Sequence, residues 1–138
     1  PIEGTQAAFD GLKNGAYVLS TDDDPELVLM ATGSEVQLIV GAAEQLRADG
    51  RRVRVVSIPS MDRFLASDPA DQAEVIPPDV TKRLAVEAGR TMGWQALVGS
   101  SGSVVGIDRF GESAPANELA EHFGFTVDHV LRAAKALR

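Results

Sequence analysis

The chain has 138 residues, enough for one domain that buries about two thirds of the surface its unfolded form exposes. Its 13 Lys and Arg against 20 Asp and Glu leave a net charge of -7, and with only five Phe, one Trp and one Tyr it is poorly suited to nucleic acid or to an anionic membrane surface. Cysteine is absent, which excludes disulfides, thiolate catalysis and zinc-thiolate sites.

The opening "PIEGTQAAFDGLKNG" has no sustained periodicity and no charged start followed by an apolar block, so residues 1–14 read as a linker or arm rather than a signal peptide. No apolar run approaches a membrane span, and a cytoplasmic location is expected. "AYVLS" at 16–20 reads as a strand. "TDDDPE" supplies a turn, and "LVLMA" at 27–31 reads as a strand buried on both faces, pairing with the first as a hairpin at the sheet edge. From Ser34 the period changes. Val36, Ile39, Val40, Ala43 and Leu46 form one helical stripe that stops at Gly50, and Ser34 with Gln37 or Thr32 with Glu35 offers a capping box. "RRVRVVSIP" then reads as a strand ended by Pro59, which completes a βαβ unit.

Two short helices are expected next, "SMDRF" and "DPADQAEV", the second with Asp68 as N-cap and Pro69 at its first position, halted by Pro77 and Pro78. "RLAVEAG" reads as a third core strand, "TMGWQALVG" as a short helix and "SVVGI" as a fourth core strand. The helices "APANELAEHFG" and "TVDHVLRAAKALR" follow, and in the last one Thr126 caps, Asp128 sits near the positive end, and Lys135 and Arg138 sit near the negative end. The sum is an α/β fold, a three-layer α/β/α domain over residues 15–138 with a mixed, mostly parallel sheet of about five strands.

In open parallel sheets ligands gather beyond the carboxyl ends of the strands, here Thr32-Gly33-Ser34, Ser60, Glu87-Ala88-Gly89 and Asp108-Arg109. Glu35, Asp62, Glu87 and Asp108 stand at that rim and would repel an anion, so "ATGSEV" reads as a strand-to-helix corner, with a phosphate cradle as the competing reading. His122 and His129 are seven apart, without the i, i+4 spacing of a helical metal pair, and read as solvent-facing. "GSSGS" lacks the G-x-S-x-G elbow and reads as a loop. "FGESAP" reads as a helix-start loop, with Glu112 or Ser113 as cap and a catalytic Glu112 as the alternative. Composition and spacing thus give no catalytic, cofactor-binding or metal-ligating residue.

The pieces "ATGSEV", "VRVVSIPSMDRF", "AVEAG" and "GIDRFGESAPANELAEHFGFTVDHV" together resemble the C-terminal domain of transketolases, over roughly residues 15–138. The run from "FGESAP" to "FGFT" is the most specific of them. The resemblance implies an intact enzyme that uses thiamine diphosphate and Mg2+ or Ca2+ to move a two-carbon ketol unit between sugar phosphates in the pentose phosphate pathway. It also implies two preceding domains, a second protomer in a homodimer, and cofactor ligands that lie in those other domains. The Gly-Asp-Gly motif of that family has no counterpart here: Asp10-Gly11 and Asp49-Gly50 lack the first glycine, and Asn14 and Asn117 stand in other contexts. The chain is therefore expected to be an inactive, structural and dimer-associating fragment, with Phe9, Trp94 and Phe110 on the face toward its partners. The alternatives are a freestanding module for an anionic metabolite or nucleotide, and the tail of another thiamine enzyme such as an oxoacid dehydrogenase subunit or deoxyxylulose phosphate synthase.

Overall fold

The apolar run at 27–31 forms strand β2 (Leu27–Ala31), in which all five residues are buried, as expected of a strand covered on both faces. The computed structural model describes residues 14–87, 93–106 and 126–137. Around β2 the sheet adds β1 (Tyr17–Thr21), β3 (Val53–Ser57), β4 (Lys82–Glu87) and β5 (Ser103–Gly106) in the order β1-β3-β2-β4-β5. All pairings are parallel except that of β1 with β3. The helices are α1 (Val36–Ala48), α2 (Met61–Ala66), α3 (Pro69–Val75), α4 (Trp94–Val98) and α5 (Val127–Lys135), with a 3-10 turn at Gly33–Glu35 before α1.

The period-2 alternation of β2 divides the core. Leu27, Leu29 and Ala31 pack with Ile39, Ala42, Ala43 and Leu46 of α1 and Val130, Leu131 and Ala134 of α5. Val28 and Met30 face the other way, onto Phe64 of α2, Ile76, and Trp94, Leu97 and Val98 of α4. The result is three layers, α1 and α5 on one face and α2, α3 and α4 on the other.

The edge hairpin is corrected. β1 pairs antiparallel with β3, not with β2, and its register shifts between Val18 and Ser20. The turn at 21–26 instead carries the chain past β3: Asp22 N–H donates to Val53 O and Glu26 N–H to Arg52 O. Val40 is also corrected. It is 39% exposed, while Ala42 takes a place in the buried stripe. The capping box with Thr32 is not made, since Thr32 caps the 3-10 turn without a side-chain hydrogen bond. The other caps match expectation: Asp68 accepts from Ala70 N–H (3.4 Å), with Pro69 at the start of α3, and Thr126 Oγ1 accepts from His129 N–H (3.1 Å). The helix expected at "APANELAEHFG", together with Phe9, Ala88, Gly89, Asp108, Arg109, Phe110, Glu112, Ser113 and His122, lies outside the described residues.

Candidate functional site

Strand order locates the crevice where a ligand would enter. From β2 the chain crosses over α1 to β3 on one side, then returns over α2 and α3 to β4 on the other, so the carboxyl ends of β2 and β4 flank the switch point. At the end of β2, Thr32 is extended and Gly33 turns with φ +60°, leading through the 3-10 turn into α1. Glu35, the residue immediately before α1, is 9% exposed. A Cβ at Gly33 would lie 3.7 Å from Glu35 Oε2, so this carboxylate lies close to the turn at the positive end of the helix.

The neighbouring strand ends continue the pattern. Ser60 Oγ accepts from Arg63 N–H (3.3 Å) and caps α2, its own N–H donates to Gly15 O (3.1 Å), and Asp62 lies in the first turn. Glu87, the last residue of β4, accepts from Trp94 Nε1 (3.2 Å). Trp94 is only 2% exposed, which corrects its expected place on an exposed partner face: the indole is part of the core and its N–H is satisfied at the rim. His129 is partly exposed on α5. Among the described residues no group of three His, Asp or Glu side chains is placed to hold a metal ion. The described rim carries the carboxylates of Glu35, Asp62 and Glu87 together with the cation of Arg63 in α2.

Ion pairs gather at the opposite end of the sheet. Arg47 Nε donates to Asp22 Oδ2 (2.8 Å), which also accepts from Val53 N–H (2.9 Å), while Arg47 Nη2 donates to Val53 O (2.9 Å). The hydrogen bond from Val53, then the one from Arg47, hold the Asp22 carboxyl below the usual aspartate value. Arg51 bonds to Glu26 and Arg52 Nη1 lies 3.6 Å from it, which lowers the Glu26 pKa, chiefly through the Arg51 hydrogen bond. Glu26 and Arg52 border a groove of about 490 Å³ that is also lined by Asp24, Asp79 and Lys82. Two further arginines, Arg54 and Arg83, turn inward beneath α3. Sequence reading missed them because charges at strand starts look like ordinary surface; their alternation with Val53, Val55 and Leu84 was the available signal.

A family model for the transketolase-like C-terminal domain matches residues 15–126. A transketolase of Geobacillus stearothermophilus is 51% identical over 134 residues, 96% of this chain and 20% of that protein. The solved transketolase of Leishmania mexicana superposes with a TM-score of 0.83 at 39% identity, over 93% of this chain and 18% of the other. A structure described as a split gene transketolase, inactive beta4 tetramer, superposes with a TM-score of 0.65 at 25% identity, over 91% of this chain and 42% of that one. The chain thus spans about a fifth of the length of the full-size relative it matches. Among the described residues no helix is long and apolar enough to cross a membrane.

Proposed function

Because the chain belongs to the transketolase C-terminal domain family, we propose that it serves as the third domain of a thiamine diphosphate-dependent ketol transferase, a scaffold whose chemistry is supplied by the other domains. The observation that carries this reading is one of coverage: a 51% identical relative aligns with 96% of this chain yet has four fifths of its length elsewhere. The inactive tetramer formed by the split-gene relative is in keeping with a C-terminal portion that associates without turning over substrate. On this reading residues 1–14 are the arm to the preceding domain, and the domain joins a cytoplasmic homodimer of the pentose phosphate pathway that accepts sugar phosphates.

The test is calorimetric titration of the 138-residue chain with thiamine diphosphate and Mg2+, then with ribose 5-phosphate. No saturable heat is expected in either step. Saturable binding of the cofactor to this chain alone would overturn the scaffold reading.

A further inference from the structure

Arg54 on β3 and Arg83 on β4 are both paired with Val28 of β2, one on each side. Their side chains therefore leave the sheet on the face that carries Val28, beneath α3 and the segment after it. Arg54 Nη1 donates to Glu74 O (2.9 Å) and Val75 O (3.3 Å), carbonyls at the end of α3, and its Nε is buried without a partner. Arg83 donates from Nε to Val80 O (2.8 Å), from Nη1 to Leu97 O (3.0 Å) and from Nη2 to Pro77 O (3.1 Å). A guanidinium carries five N–H groups, so both retain unused donors. Among the described residues neither forms an ion pair. Burial lowers the pKa of each. Half-buried cations with no counter-ion among the described residues run against the rule that charge taken from water is paired, in a chain whose net charge is -7.

Arg83 also lines a cavity of about 250 Å³ whose other walls include Phe64, Ile76, Pro78, Leu97 and Gln72. We propose that this cavity binds a small organic carboxylate with an apolar body, the carboxylate on the free donors of Arg83 and the body against Phe64, Ile76 and Leu97. The volume lies just under the ~300–1,000 Å³ of drug-sized sites, so the ligand is small. Inorganic phosphate would leave the apolar walls unfilled, and a neutral apolar molecule would leave the cation unpaired. The neighbouring charge of Arg54 strengthens the preference for an anion.

Amide-resolved NMR titration of the 138-residue chain with benzoate, and with benzamide as its neutral counterpart, tests this. Benzoate is expected to give saturable shifts confined to residues 64–83 and 96–97, with benzamide about tenfold weaker or more. Arg83→Lys keeps the charge but loses the fork, and is expected to weaken benzoate about tenfold. Ala96→Phe fills the cavity from its exposed wall while leaving Arg83 in the chain, and is expected to abolish binding while the spectrum stays dispersed. Equal affinity for benzamide, shifts elsewhere on the domain, or unchanged binding in a folded Ala96→Phe chain would each overturn the proposal.

Discussion

Asp22 shows how one carboxylate can join three parts of the fold. Its Oδ2 accepts from the backbone of β3 and from Arg47 of α1, while the residue itself lies in the turn after β1. Because the folded-state pKa is lower than the unfolded one, this contribution is fully present above the ordinary aspartate value of 3.8 and is lost as pH falls through the folded value. Glu26 acts in the same sense from 4.5 downward. Denaturation midpoints followed from pH 7 to pH 2 should fall steeply below about pH 4.5. Asp22→Asn should cost about 1 kcal/mol at pH 7, a modest figure because the pair is partly exposed, and should flatten the acid limb. An acid limb identical to that of the parent chain would show that Asp22 does not carry the effect. None of this was legible in "TDDDPE", where three adjacent aspartates look alike and only β3 singles out the first.

At the level of elements, local chemistry was read well and long-range pairing was not. The strands, the short helices and the caps at Asp68 and Thr126 follow from period and from residues within a turn of one another. The partner of β1 does not, because a hairpin signal is local whereas β3 is separated from β1 by an entire helix. Val40 failed for a geometric reason: the stripe settled on Ile39, Ala42, Ala43 and Leu46, and the small Ala42 gave no hydrophobic signal strong enough to move it there. The rim was legible as a place, but the inward arginines were missed because their shared face depends on strand register.

Gly15 makes the docking of the chain's start onto α2 testable. It has φ +86°, and a Cβ there would meet Ser60 O at 2.3 Å and Phe64 N at 2.5 Å, both backbone atoms. Gly50 has φ +85° with nothing within 4 Å. Gly15→Ala should therefore cost about 3 kcal/mol or more, from strain and collision together, against about 1 kcal/mol for Gly50→Ala, which carries strain alone. Urea denaturation of the two variants compares them directly. Equal losses would mean that the contact between Gly15 and α2 contributes nothing.

For the whole molecule, the decisive fact is the proportion between this domain and its relatives. The strand order sets the carboxyl ends of β2 and β4 at a switch point, where the described residues include Glu35 and Glu87. The role proposed for such a domain is to contribute packing surface to an enzyme whose reacting groups lie in its other domains. That claim is tested most directly by steady-state ketol transfer in a chimaera. The Geobacillus stearothermophilus transketolase would carry this chain in place of its matching fifth and be assayed with thiamine diphosphate, Mg2+ and sugar phosphates. The account predicts thiamine-dependent transfer within about tenfold of the parent enzyme. A chimaera that folds and binds thiamine diphosphate but transfers no ketol unit would contradict it.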